Sequence, residues 1–262
     1  MAANKEETLS VNYKMVLQYD GSRYDGWQKQ VTTDKTIQGK MESVLSRMAG
    51  ETVEVHGSGR TDKGVHAAGQ TANFYLPYKM DENEIKTYCN TYLPEDIAVL
   101  SVEAAPFRFH SRLHAVRKTY AYHIEMGEKK DVFARKYTYG LGKPLDIDKM
   151  KTASRFLLGT HDFKSFCGNR KMKKSTVRTI EKIDFEKQGT KLTIRYTGNG
   201  FLQYMVRILT GTLIEVGLGE RSPESMKEIL EALSREQAGS AAPPEGLCLE
   251  VVEYGNIFGS LQ

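Results

Sequence analysis

The sequence predicts an α+β protein, two halves of mixed strand and helix with largely antiparallel sheets flanked by helices. Three observations lead there. Strand-like alternation and helical spacing recur in both halves of the chain. One strand pair is joined by a tight Gln188-Gly189 turn. No tandem repeat or low-complexity tract interrupts the pattern. With 262 residues, 40% of them hydrophobic, the chain has ample core for two modest domains or one large one. The halves divide as residues 11–110 and 111–262, joined near 105–115 without a flexible linker, after a polar tail at 1–10.

VNYKMVLQY (11–19) alternates as a strand and leads into a polar, glycine-bearing loop. From Thr36, the residues Ile37, Met41, Val44, Leu45 and Met48 recur at helical spacing, and Gly50 stands where a helix-ending glycine belongs. TVEVHGS (52–58) is a short strand, HGSGRTDKGVHAAGQ (56–70) a loop and QTANFYLP (70–77) the next strand. DENEIKTYCNTYL (81–93) is helical, and DIAVLSVEAA (96–105) closes the first half as a strand. In the second half KTYAYHIEM (118–126) is a strand, and LDIDKMKTASRFLLG (145–159) a helix with Gly159 behind it. Residues 175–198 make two strands around the Gln-Gly turn, and FLQYMVRILTGTLIEVG (201–217) is a largely apolar helix. SPESMKEILEALSREQ (222–237) is a helix with Ser222 as cap and Pro223 at its first position. LCLEVVEY (247–254) is the closing strand.

No window approaches eighteen uninterrupted apolar residues, so no membrane span is expected. The start, MAANKEETLS, lacks the apolar centre of a secretion signal, and a reducing cytoplasm is the expected location. Cys89, Cys167 and Cys248 lie far apart with no CxxC pair, which indicates neither a disulfide framework nor a structural zinc. Net charge is only +4, but its distribution is uneven. Residues 106–124 hold four Arg/Lys, three His and no acid; residues 164–178 hold six Arg/Lys and no acid. Aromatic residues are interleaved with both runs. Such patches suit a polyanion, with rings as stacking surfaces for bases, although two solvated basic faces would give the same composition.

The loop at 56–70 places one acid, Asp62, beside Arg60, Lys63, His56 and His66 in a glycine-rich run. Its glycines fit neither a dinucleotide fingerprint, since Asp62 stands at the third glycine, nor a P-loop, since Val65-His66 follow Gly64. No HExxH, EF-hand or GxSxG pattern occurs elsewhere, so no metal or cofactor is expected. Positive neighbours lower an Asp pKa and keep it ionised as a nucleophile or electrostatic stabiliser. A carboxylate can work in this way against an anomeric carbon, but glycosidases add a second acid to activate water. A lone acid suits glycosidic cleavage in which water is not the acceptor, as when a base within RNA is detached and reattached. The alternative is an Asp that caps a turn.

GRTDKGVHAAGQ resembles the catalytic loop of the tRNA pseudouridine synthase A family, and the likeness runs from about Tyr13 to Tyr254. YDGSRYDGWQKQ (19–30) is similar to the family's early loop, RKTYAYHI (117–124) to its tyrosine strand and HDFKSF (161–166) to its His-Asp-Phe segment. GNGFLQYMVRILTGTL (198–213) is similar to its buried-arginine helix and APPEGLCLEVVEY (242–254) to its last strand. The resemblance implies two related α+β halves flanking a basic cleft, and a homodimer that isomerises uridine in the anticodon stem-loop of tRNA without cofactor or metal. It makes Asp62 the catalytic acid, Arg60 the residue linked to flipping the base, Tyr120 the contact to that base and Arg207 the partner of the acid. Lys63 stands where many members have a small residue, and Gln203-Tyr204 replace a more usual Tyr-His or Tyr-Asn pair. Gln28, Lys29, Lys63, Arg117 and Lys118 are the further candidates for contact with RNA, Gln30 could also reach it, and Trp27 is expected to pack.

Physical reasons stand beside these roles. A target base must leave its stack before chemistry, at a cost of roughly a few kcal/mol. Arg60 could fill the space, or be an ordinary surface arginine. Tyr120 and Tyr122 share one strand face, so Tyr120 is either a platform for the base or a packed core ring. Arg207 is the lone charge between Phe201 and Ile214, and as a mid-helix guanidinium it either finds a buried acceptor or snorkels to the surface.

Overall fold

Period-2 burial builds the first sheet strand. In β1 (Val11–Tyr19), Tyr13, Met15, Leu17 and Tyr19 turn to one buried face. The computed structural model describes residues 10–128 and 131–255, so all but the last residue of the polar tail at 1–10 lies outside the described residues. Helix α1 (Ile37–Ala49) starts where the Thr36 hydroxyl accepts from the Gly39 amide and ends at Gly50, whose φ of 75° is left-handed. Both ends match the sequence expectation. After α1 come β2 (Val55–Gly57), β3 (His66–Leu76), α2 (Glu82–Tyr92) and β4 (Ile97–Ala104).

The second half contributes β5 (Ala115–Glu125), β6 (Tyr139–Gly140), α3 (Ile147–Arg155), β7 (Gly159–Asp162), β8 (Val177–Gln188) and β9 (Lys191–Gly198). Then follow α4 (Met205–Gly217), α5 (Ser225–Ala232) and β10 (Leu247–Tyr254). The described strands join in one sheet of order β4-β1-β3-β10-β5-β9-β8-β7, with β2 on β3 and β6 on β5. Its ladders are antiparallel except for β5–β6 and β10–β3. The protein is thus α+β, with a mixed, mostly antiparallel sheet and five α-helices among the described residues. Strands from the two parts of the sequence meet at β10, which pairs in parallel with β3 through Cys248↔His66 and Leu249↔Ala67. On its other side β10 sets Leu249 opposite Tyr120 and Leu247 opposite Tyr122.

Several boundaries differ from the sequence reading, α5 for one ending at Ala232 rather than at 237. β3 begins at His66, so residues 66–70 are strand rather than loop. Gly69 is there for close approach, because a methyl group would strike the Glu250 carbonyl of β10. α3 stops at Arg155, and Gly159, at φ +96°, opens β7 instead of closing the helix. Residues 222–224 form a turn, with Ser222 O accepting from the Ser225 amide at 3.2 Å, so α5 starts three residues after the expected cap. Tyr204 is left-handed, φ 60°, which keeps residues 201–204 out of α4. Arg207 therefore sits in the first turn of α4 rather than in mid-helix.

α4 is overlaid by the segment that precedes β10. The Ala242 amide donates to Arg207 O at 2.9 Å, and Gly211 faces the Ser240 carbonyl so closely that a methyl group would collide with it. Gly211→Ala gains up to about 1 kcal/mol in helix propensity but overpacks a backbone contact, which typically costs about 1–3 kcal/mol. A net destabilisation is expected, measurable as a lower urea midpoint at unchanged slope; equal or greater stability would show that the overlying segment yields freely.

Candidate active site

Hydrogen bonds fix the turn between β2 and β3 from both sides. Ser58 donates from its amide to Thr71 O at 2.7 Å and from its hydroxyl to Gln70 Oε1 at 2.6 Å, while Gln70 Nε2 donates to Gly59 O at 3.0 Å. The early loop holds the other side. The Trp27 amide donates to Thr61 O at 3.0 Å, and the Gly64 amide to Tyr24 O at 3.3 Å. Thr61 also shares a 2.8 Å hydrogen bond with the Tyr19 hydroxyl. Gly26, at φ +100°, lies against the Thr61 carbonyl, where any side chain would crowd the turn. Trp27 is buried against Gly57, as expected of a packing residue. Asp62 is thus presented by a rigid backbone.

The Asp62 side chain is 21% exposed, and its Oδ2 lies 3.9 Å from Arg207 Nη1. The guanidinium is held elsewhere. Arg207 Nε donates to Ala242 O at 2.7 Å, and Arg207 Cζ lies 5.1 Å from the centre of the Tyr204 ring. The expected pair is present as a charge contact, without a tight hydrogen bond. Its effect on Asp62 is smaller than that of burial, which pushes the carboxyl up to about 6 while Arg207 pulls it down. This corrects the expectation that neighbouring cations would depress this pKa. The nearby cations are mostly engaged or exposed, so loss of water dominates. At pH 7–8 the acid is still largely ionised, and it is more basic than an ordinary aspartate.

Asp62 lines a cleft of about 700 Å³ together with Arg60, Lys63, Lys118 and Tyr120. A volume of this size suits a small-molecule or nucleotide-sized group. The Tyr120 ring packs edge-on to Phe201, centroids 5.3 Å apart, and is 8% exposed. Burial, and secondarily Tyr19 and Asp62, push its phenol well above the ordinary tyrosine range, so it stays protonated. Arg60 is exposed and donates from Nε to Gln28 Oε1 at 2.9 Å, and Gln28 in turn donates to Gln38 Oε1 at 2.6 Å. Lys63 Nζ lies 2.8 Å from Asp25 Oδ1, and Thr33 donates to Asp25 Oδ2 at 3.0 Å. These contacts hold the second carboxyl of the lining below the usual range. Lys118 donates from Nζ to Ser58 O at 2.6 Å.

Two candidates stand apart from the cleft lining. Lys29 is tied to Glu42 at 2.8 Å, and Arg117 to Glu181 at 2.7 Å and Glu253 at 3.0 Å. Gln30, Lys173 and Lys174 do line it. So do Arg112, Arg178 and Phe201, which the sequence did not single out, and Tyr204, which it marked only as half of a departure from the family's usual pair. The first two lay inside the acid-free basic runs, where composition marked the segments without distinguishing the residues that face inward. No local pattern announces Tyr204, whose left-handed backbone is costly for a bulky residue. Its ring fits because Gly168 has no side chain to meet it, and the Gly168 amide donates to Gln203 O at 2.8 Å. Among the described residues no group of three or more His, Cys, Asp or Glu is arranged to hold a metal.

The family described as tRNA pseudouridine synthase matches residues 15–113 and 153–255. The chain belongs to the tRNA pseudouridine synthase family. The two matched stretches contain Asp62 and Arg207 but leave out Tyr120. The chain is 48% identical over 243 residues to tRNA pseudouridine synthase A of Bacillus sp. (strain KSM-64), covering 93% of this chain and 99% of the relative. At the same coverage it is 45% identical to tRNA pseudouridine synthase A 2 of Bacillus anthracis. It is 43% identical to tRNA pseudouridine synthase A of Clostridium kluyveri, again with 93% and 99% covered.

In this family member the raised Asp62 carboxyl has a stability signature. Below its unfolded value of 3.8 the acid is neutral in both states, and ionisation adds nothing to stability. Between there and about 6 the unfolded chain ionises first, so stability is lost as pH rises, and the full penalty is present above about 6. Asp62→Asn should therefore stabilise the fold by on the order of 2–3 kcal/mol at pH 8, with little change at pH 3.5, in paired thermal melts. No gain at pH 8 would show an unpenalised carboxylate. Arg207→Leu removes the charge that favours ionisation, so the acid limb of the rate profile should move up by roughly one pH unit. An unmoved limb would separate Arg207 from Asp62 energetically.

Proposed function

We propose that this chain isomerises uridine to pseudouridine in the anticodon stem-loop of tRNA, with Asp62 as the catalytic carboxylate. The observation that carries the reading is a single carboxylate, partly desolvated and met only by the 3.9 Å charge contact to Arg207, in a cationic cleft. Asp25, the other acid of the cleft lining, is held by Lys63 and Thr33 and is not free to activate water. Hydrolysis of a glycosidic bond calls for two working carboxyl groups. An internal transfer does not, because the detached base is itself the acceptor.

The C1′–N1 bond breaks, the uracil turns, C1′ bonds to C5, the C5 proton leaves and N1 gains a proton. Nothing is oxidised, and no water is consumed. Asp62, made more basic by burial, attacks either the base or C1′ and is regenerated. Tyr120 keeps its proton too tightly to be the resting base; it offers a ring for the flipped uracil and a hydroxyl that can guide the C5 proton. Arg207 limits the rise in the Asp62 pKa and fixes its direction. Arg60 stands at the cleft mouth, where it can fill the gap left in the RNA stack.

The proposal includes a cytoplasmic homodimer. No helix among the described residues is long and apolar enough to cross a membrane. Val132 and Phe133, 57% and 91% exposed, offer apolar surface suited to a second copy.

The decisive test is pseudouridine mapping on tRNA incubated with wild type and with Asp62→Ala. The variant should bind tRNA about as well as wild type and form no pseudouridine; turnover within about tenfold of wild type would remove Asp62 from the chemistry. Wild-type activity should persist in EDTA with the tRNA still folded. A loss reversed by one particular divalent ion alone would contradict the metal-free scheme.

A further inference from the structure

Of the cleft-lining cations that form no ion pair among the described residues, three stand together around Lys118. Arg112 comes from the connection before β5, Lys118 from β5 itself and Arg178 from β8, and all three line the cleft that contains Asp62. Among the described residues, no carboxylate forms an ion pair with any of them, whereas Lys63 in the same cleft is matched by Asp25. The side-chain hydrogen bonds of Lys118 and Arg178 go to neutral carbonyls. Lys118 donates to Ser58 O at 2.6 Å, and Arg178 Nη1 donates to Val177 O at 2.6 Å and Ser175 O at 3.1 Å. A carbonyl occupies one donor but cancels no charge. Burial, with Arg112 and Arg178 adding repulsion, holds the Lys118 ammonium down to about 8. Arg178 is likewise lowered by its burial. Arg112 and Arg178 both disfavour the charge on Lys118, and a cation cluster of this kind with no carboxylate paired to it is completed by an anion.

Position indicates which anion. The Lys118 ammonium is bonded to the residue four before Asp62 in the catalytic turn. Gly59 lies so near that an added methyl group would be 2.9 Å from Lys118 Nζ. Tyr120 follows two residues later on the same strand. An anion here sits beside the turn that carries the acid and the strand that carries the ring.

We infer that Arg112, Lys118 and Arg178 form one phosphodiester site, which takes the RNA backbone phosphate adjoining the flipped-out uridine. The inference rests on the proposed function for its RNA and on the cation cluster for its chemistry. Anchoring that phosphate sets the distance from the backbone to Asp62, so that the C1′ of one nucleotide is brought to the acid.

A phosphate against Lys118 returns the ammonium towards its ordinary, higher pKa, so binding takes up a proton near pH 8. The charges that face Lys118 are Arg112 and Arg178, with Asp62 in the same cleft. The experiment is isothermal titration calorimetry of the full chain with an unmodified tRNA transcript at pH 8, in buffers of different ionisation enthalpy. Wild type should show uptake of roughly half a proton, and Lys118→Met should show none and bind on the order of tenfold more weakly. Lys118→Arg should recover affinity without proton uptake, because a guanidinium does not titrate there. Arg112→Gln and Arg178→Gln should each lower the slope of log affinity against log salt by about 0.7–0.9. Lys151→Gln, on α3 and paired with Asp148, should leave that slope unchanged. Inorganic phosphate should raise the Tm of wild type but not of the triple variant. Absent proton uptake, or salt slopes unaltered in all three cleft variants, overturns the site. Phosphate stabilisation without any tRNA binding would keep the site and overturn the RNA reading instead.

Discussion

A carboxylate with little water around it must be charged to react, and the rest of this structure follows from that conflict. Burial raises the Asp62 carboxyl to about 6, and Arg207, 3.9 Å away, opposes the rise without reversing it. A closer, doubly hydrogen-bonded pair would hold the acid ionised at the expense of its basicity. The looser contact leaves both properties in place. It works because the guanidinium is positioned by other groups, the Ala242 carbonyl and the Tyr204 ring, so its orientation does not depend on Asp62.

Those supports reach far through the sequence. The left-handed turn at Tyr204 aims the first turn of α4, Gly168 makes room for the ring, and the segment at 240–242 lies across Gly211 to deliver the carbonyl. From the other side, the early loop hydrogen-bonds the catalytic turn at Thr61 and Gly64. The YDGSRYDGWQKQ loop thus serves mainly to fix backbone, with Gly26 and Trp27 as its working residues. Gln28 is its link to the cleft mouth, through Arg60.

Much of this was legible beforehand. Regular alternation and helix caps located β1, α1 and the β8–β9 hairpin, because local periodicity and local chemistry agree there. Prediction failed where long-range contact decides. His66-Ala67-Ala68-Gly69 is strand because β10 and β1 pair along it from either side, and nothing within those four residues says so. Tyr204 takes a backbone conformation that its own type disfavours. At the site, the residues with chemistry were visible, since an isolated acid and an isolated arginine are conspicuous in their surroundings. Invisible were the direction of the Asp62 pKa, which depends on how much water reaches the acid, and the partners that tie Lys29 and Arg117 to carboxylates outside the cleft. Charge density along a chain does not report which charges are already neutralised.

The parallel seam between β3 and β10 bears on how the protein is made. Residues 247–254 occupy the middle of the sheet, between β3 and β5, and contribute Leu247 to the cleft. During synthesis every other described strand leaves the ribosome first, yet β3 and β5 have no direct ladder to each other. In the sheet, the strand that follows the acid's turn and the strand that bears the tyrosine are therefore joined through β10. The strand that completes the sheet between the acid's turn and the tyrosine's strand is thus the last described strand to be made.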